Sequence, residues 1–327
     1  MKKIKIGFSF NLGNGGPSIF LKKLKKSIEK QKLAKTTYFI DPTATCNIFA
    51  NKVRNLWRKP YFFRVDGIGI DKSKPQEHLE IINNQIKEGI IGSIGVIFQS
   101  TFSKNMVEQV FNIKVKNYKI IVNGTDRTIF NNYGENLREE LNIEKNALVF
   151  ISSAKWRGVK RLDDVINVFK EFKKRYKKKT YLIIIGKEGK NKDGIIYIPH
   201  IDNEELPKYL RTGDIYLYLS WIDNCPNSVI EAISCGLPVI CSNQGGTNEI
   251  IKLTRGGIIV KADNELDFSN IYLDNPPKPN YKEIIEAMLK MSNNLEKYKK
   301  EIKFEEIDID NVAKKYVNFI KQTLKKD

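Results

Sequence analysis

Residues 215–219 and 239–241 are two short apolar runs, and the stretch between them can only be a loop and a helix. Asn224, Pro226, Asn227 and Ser228 mark the helix start, because proline or a short polar side chain suits the turn whose backbone N–H groups lack partners. Gly236 stops it. Parallel strands need a crossover of this kind, so the segment commits the chain to a β-α-β unit of an α/β fold. Asp223 lies in the loop before the helix and Glu231 about one turn inside it. A carboxylate accepts hydrogen bonds from hydroxyls, and a helix N-terminus attracts an anion. Together these features suit a phosphorylated sugar.

The wording of the segment goes further than its periodicity. Pro226-Asn227-Ser228, Glu231-Ala232 and Cys235-Gly236-Leu237-Pro238-Val239, followed by Gln244-Gly245-Gly246 and Glu249-Ile250-Ile251, resemble the Glu-x7-Glu segment of retaining, nucleotide-sugar-dependent glycosyltransferases of the GT-B fold, the glycosyl transferases group 1. The first acid here is Asp223, one methylene shorter than the usual Glu. The resemblance implies two Rossmann-like domains facing each other across a cleft. It also implies sugar transfer, with retention and without metal or other cofactor, from a nucleotide-diphosphate donor to a glycan or lipid-linked acceptor in cell-surface polysaccharide or glycolipid synthesis. In that scheme Glu231 takes the ribose hydroxyls, Asp223 the donor sugar, and the amides of Asn227, Ser228 and Val229 complete the donor site. A non-catalytic nucleotide-sugar-binding or partner module of the same fold is the alternative.

At the front, residues 3–10 predict a strand and residues 11–18 a glycine-rich loop, whose Gly15 and Gly16 permit close backbone approach to a ligand. The resemblance places that loop beside the donor. A helix is expected at 18–33, a strand at 37–40, a helix around 48–56 and a strand at 61–65. Arg64 and Asp66 sit at the end of that strand, where open parallel sheets bind ligands. The resemblance puts this strand end on the acceptor side, which makes Asp66 a candidate catalytic group there, with a turn-capping acid as the competing assignment. Asn123-Gly-Thr-Asp126, with Phe130, resembles the family's crossing between domains. The expected division is 1–125, 126–310 for donor binding, and a helix over 311–327 returning to the first domain.

A second α/β pattern starts at 147–152, with a helix at 162–176 and a strand at 181–185. The loop between its first strand and helix carries Lys155, Arg157 and Lys160. Family members place two cations here on the donor diphosphate. Lys160 fits one, and Lys155 or Arg157 the other, since Ala154 occupies the usual arginine position.

Of the formal net charge of +18, residues 1–125 carry +14, with 22 Lys and Arg against 8 Asp and Glu. The lysines of the 18–33 helix offer contact with an anionic membrane surface. Nucleic acid ranks lower, because no aromatic and basic interleaving accompanies the charge. A dinucleotide-binding dehydrogenase ranks lower again, for want of a Gly-x-Gly-x-x-Gly turn. Cys46, Cys225, Cys235 and Cys241 show no CxxC spacing, which fits reduced thiols in the cytoplasm. Residues 1–10 read as a strand rather than a leader, and no apolar run reaches the ~18 residues of a bilayer span. The expected location is cytoplasmic, with peripheral contact at the inner face of the membrane. His78 and His200 lack metal spacing, and Asp308-Ile-Asp310 fits a helix cap better than a metal site.

Overall fold

The computed structural model describes residues 4–9, 16–55, 57–261 and 266–325. The chain forms two compact units: Met1–Asp126 with Asp267–Tyr272 and Glu306–Asp327, and Arg127–Leu266 with Leu273–Glu305.

The first unit is built on six strands: β1 (Lys5–Phe8), β2 (Lys35–Tyr38), β3 (Cys46–Ala50), β4 (Tyr61–Val65), β5 (Gly95–Phe98) and β6 (Tyr118–Ile120). All pairs are parallel, in the order β2-β1-β3-β4-β5-β6. Helices α1 (Gly16–Lys30), α2 (Gln76–Ile91) and α3 (Thr101–Phe111) supply crossovers. Strand β3 corrects the helix expected around 48–56. Apolar residues at 48, 49, 53 and 56 fit a helical period, but Cys46 to Phe49 are completely buried between β1 and β4, which is the environment of a central parallel strand. Helix α3 is capped by Ser100, whose side chain accepts from the Ser103 N–H at 3.0 Å.

The second unit has β7 (Leu148–Ser153), β8 (Thr180–Ile185), β9 (Ile195–Ile198), β10 (Ile215–Tyr218), β11 (Val239–Ser242) and β12 (Gly257–Val260). Their order is β12-β11-β10-β7-β8-β9, again all parallel. Helices α4 (Leu162–Arg175), α5 (Leu206–Thr212), α6 (Asn227–Ser234), α7 (Thr247–Thr254), α8 (Tyr281–Asn293) and α9 (Leu295–Glu301) accompany it. The chain runs outward from β7 through β8 to β9, then returns to add β10, β11 and β12 on the other side. The strand order therefore reverses between β7 and β10. In doubly wound sheets that reversal opens a crevice beyond the strand C-termini, and ligands bind there.

The last helix, α10 (Ile309–Thr323), belongs to the first unit. Its Val312, Ala313, Tyr316, Val317 and Ile320 share one core with Phe20, Leu21, Leu24 and Ile28 of α1. The apolar face of α1 is thus spent on packing. Asp308 caps α10 by accepting from the Asp310 N–H at 2.8 Å, and Asp310 accepts from the Ser27 hydroxyl at 2.7 Å, so the Asp-x-Asp pattern serves a helix start.

Candidate functional site

The loops that follow β7 and β10 meet at the strand-order reversal of the second unit. After β7 the chain makes a single tight turn, Gly158–Lys160, whose Val159 carbonyl accepts from the Trp221 N–H at 2.9 Å. That backbone bond ties the two loops together and sets their side chains against one another. Lys160 Nζ lies 2.6 Å from Asp223 Oδ2 and donates to the Tyr218 hydroxyl at 3.0 Å, while Tyr218 donates to Asp223 Oδ2 at 2.8 Å. Asp223 is held from its own loop as well, since its Oδ1 accepts from the Cys225 N–H and its carbonyl from the Gly246 N–H at 2.7 Å. Gly245 makes that approach feasible. Its φ is +80°, and a Cβ there would stand 2.7 Å from the Asp223 carbonyl oxygen.

Tyr218 is two residues from Tyr216 on β10, so both rings lie on one face of the strand and stack with centroids 6.4 Å apart. The Tyr216 hydroxyl meets Ser153 Oγ, at the end of β7, at 2.8 Å, and it also bonds Ser228 in the first turn of α6. Burial raises the Tyr216 phenol above its ordinary pKa; hydrogen bonds from Ser153 and Ser228 oppose this, and the charge of Glu231 adds to it. Burial, together with the Asp223 carboxylate, raises Tyr218 still further. Both hydroxyls therefore stay protonated and available as donors.

Helix α6 starts after Pro226 and ends in a tight left-handed reversal. Gly236, at φ +85°, donates to the Ile233 carbonyl and Leu237 to the Ala232 carbonyl, the paired bonds of a Schellman stop. Asn227 and Ser228 are half-buried at its N-terminus, Val229 is buried, and Glu231 is only 7% exposed, with its charge felt by Tyr216.

Of the residues singled out in the sequence, the structure brings Lys160 and Asp223 into direct contact, and connects Ser228 and Glu231 to them through the two tyrosines. Lys155 and Arg157 are exposed on the β7 loop. Gly16 opens α1, and Gly15 lies outside the described residues. Asp66, in the first unit, accepts from Arg64, a fully buried guanidinium that also donates to Tyr316 and Asn123 and lies 4.3 Å over the Phe20 ring. Gln99 bonds Asp66 too. Such a set of partners holds Asp66 as a counter-charge to Arg64. Among the described residues no group of three or more metal-ligating side chains comes together.

Sequence reasoning passed over Tyr216, Tyr218 and Arg161. The tyrosines had a signal, two phenols in an otherwise aliphatic buried strand, each needing a polar partner at the strand end. Arg161, with φ +57°, is 5% exposed and donates to the Leu219 and Pro277 carbonyls. Burial lowers its pKa to about 10 against the pull of Asp164 and Tyr281, so it is a clamp on the β10 loop.

Residues 134–274 match the model of the family described as glycosyl transferases group 1. That match lies almost wholly within the second unit. Both loops of the Lys160 and Asp223 pair, and all of α6, fall inside it. N-acetyl-alpha-D-glucosaminyl L-malate synthase of Bacillus anthracis is 27% identical over 184 residues, 52% of this chain and 47% of that protein. The chain spans about half the length, or less, of the curated relatives it matches. Among solved structures, sucrose-phosphate synthase of Thermosynechococcus elongatus superposes with a TM-score of 0.72 at 13% identity, covering 99% of this chain and all of that one. Anabaena HepE, crystallised with UDP-glucose, gives 0.64 at 13% identity over 99% of each chain. The two units are both Rossmann-like α/β units, the GT-B architecture of these solved structures.

Proposed function

We propose that this chain transfers a glycosyl group from a nucleoside-diphosphate sugar to a glycan or lipid-linked acceptor, with retention at the anomeric carbon and without a metal ion. The observation that carries it is the Lys160, Asp223 and Tyr218 triangle at the strand-order reversal of the unit that the group 1 model matches. An ammonium has three N–H donors, of which Asp223 and Tyr218 take two; the third is directed to the donor diphosphate. Asp223 Oδ1 takes a hydroxyl of the sugar, and Glu231 the ribose.

Transfer builds positive charge at the anomeric carbon and negative charge on the departing diphosphate. A cation already fixed by Asp223 and Tyr218 stabilises the second more in the transition state than in the ground state, as do the amides of Asn227, Ser228 and Val229 at the start of α6. Lys155 or Arg157 adds a second cation from the same loop. Gly15 and Gly16 remain candidates beside the donor and Asp66 the candidate on the acceptor side, and synthesis of a surface polysaccharide or glycolipid in the cytoplasm is the setting that fits. The UDP-glucose complex of HepE makes UDP-sugars the first donors to try.

Purified protein incubated with UDP-, GDP- and ADP-sugars and assayed for nucleoside diphosphate release should turn over one of them. Lys160→Ala should lower that rate by roughly 10²–10³, the usual loss for one preorganised donor. Tight binding without any release would favour the non-catalytic module.

A further inference from the structure

The first unit exposes three large apolar side chains in one place. Tyr38, the last residue of the edge strand β2, is 56% exposed, Ile40 57% and Trp57 51%. They are grouped by more than sequence, because Trp57 Nε1 donates to the Ile40 carbonyl at 2.8 Å and Lys25 of α1 lies 5.7 Å over the Tyr38 ring. The turn that presents Trp57 is closed by Asn55, whose side chain donates to the Lys59 carbonyl at 2.7 Å and accepts from the Lys59 N–H at 3.0 Å. An indole held half out of the protein by its Nε1 hydrogen bond and a closed turn is a built feature.

The charge around it is cationic. Arg54 and Arg58 flank Trp57 in sequence and are exposed, as are Lys22 and Lys26 on α1 beside Lys25. Among the described residues the two acids in the area are already matched, Glu29 by Lys25 at 2.6 Å and Asp41 by Lys5 at 2.6 Å. The Lys5 and Thr43 hydrogen bonds hold the Asp41 carboxyl far below its usual pKa, so it stays an anion paired to its lysine. What remains uncompensated is positive.

We propose that the Tyr38, Ile40 and Trp57 patch is a docking surface for an anionic lipid bilayer. Tryptophan and tyrosine favour the headgroup level of a membrane, with the ring in the apolar zone and the polar atom satisfied, and flanking lysines and arginines draw such a surface toward acidic lipid. No helix among the described residues is long and apolar enough to cross a membrane. Nor does α1 lie in the interface as an amphipathic helix, since its apolar face is in the core. The contact is made by the edge of the sheet, with the α1 lysines contributing charge. This rests on the first unit alone and stands whether or not the chain is a transferase.

The test uses the full chain and vesicles of phosphatidylcholine with or without 30 mol% phosphatidylglycerol. Sedimentation should show at least tenfold more binding to the acidic vesicles, falling with added salt, and the Ile40→Ser/Trp57→Ala variant should lose at least tenfold of it while keeping the wild-type circular dichroism and Tm. Brominated acyl chains should quench emission of the bound wild type, and Trp57→Phe, which keeps an apolar ring, should still bind but lose most of that quenching. Equal binding to neutral and acidic vesicles, undiminished binding of the double variant, or quenching unchanged in Trp57→Phe would each overturn the assignment.

Discussion

Lys160 Nζ and Asp223 Oδ2 stand 2.6 Å apart, on loops 63 residues apart in sequence, and the hydroxyl of Tyr218 bonds to both. Groups joined this way act as a unit. Lys160→Ala and Asp223→Ala should each cut kcat/KM by about 10²-fold, and the double variant should fall far short of the product of the two. A double-mutant cycle on donor turnover measures this; strictly multiplicative losses would mean that the pair works at separate places.

Tyr218→Phe keeps the ring and removes only the hydroxyl that orients the pair. Because burial first, and Asp223 second, raise this phenol well above its ordinary value, it remains protonated throughout the working range. The variant should lose about tenfold in kcat/KM, the worth of one net hydrogen bond to a charged group, and wild type should show no alkaline limb from Tyr218 below pH 10. A pH profile of both proteins checks the two statements together.

Arg64 and Asp66 test what the first unit does with a buried charge. Asp66→Ala leaves a fully buried guanidinium without its counter-ion, and should destabilise the first unit by roughly 3–5 kcal/mol. Urea unfolding measures it. If Asp66→Ala instead unfolds like wild type while transfer is abolished, Asp66 acts on substrate rather than on Arg64.

Glu108 supplies a pH dependence. Burial would raise its pKa, but the hydrogen bond from Lys104, the Val115 N–H and the charges of Lys104 and Lys114 outweigh this and lower it. A carboxyl lowered on folding stabilises the native state above its unfolded value of about 4.5 and loses that contribution as pH falls through the folded value. Glu108→Gln should therefore melt below wild type at pH 7, with a narrower gap in Tm at pH 3. Differential scanning calorimetry at the two pH values decides it.

Much of this architecture is legible because buried parallel strands leave short apolar runs, as at residues 148–151 and 181–185, and because Pro226 and Gly236 punctuate α6. The failure at β3 has the same origin. Five residues cannot show a period, and only pairing with β1 and β4 decides between helix and strand. Helix α9 buries no side chain and so leaves no stripe to find. At the site, Lys160 and Asp223 can be named separately from motif and loop, yet their contact depends on the Val159 to Trp221 backbone bond, which no spacing encodes. Arg161 looks like one more surface cation in a basic loop; its left-handed backbone turns it inward to carbonyls at the end of β10 and beyond.

The central claim is that Lys160 receives the diphosphate of a nucleotide sugar, and calorimetric or thermal-shift titration of wild type and Lys160→Ala with UDP, GDP, ADP and their sugars tests it most directly. One nucleotide held at a hundred times its Kd should stabilise wild type by ~2.7 kcal/mol, and the same concentration should leave Lys160→Ala almost unshifted. Equal shifts in both proteins, or no shift of wild type with any of these ligands, would contradict it.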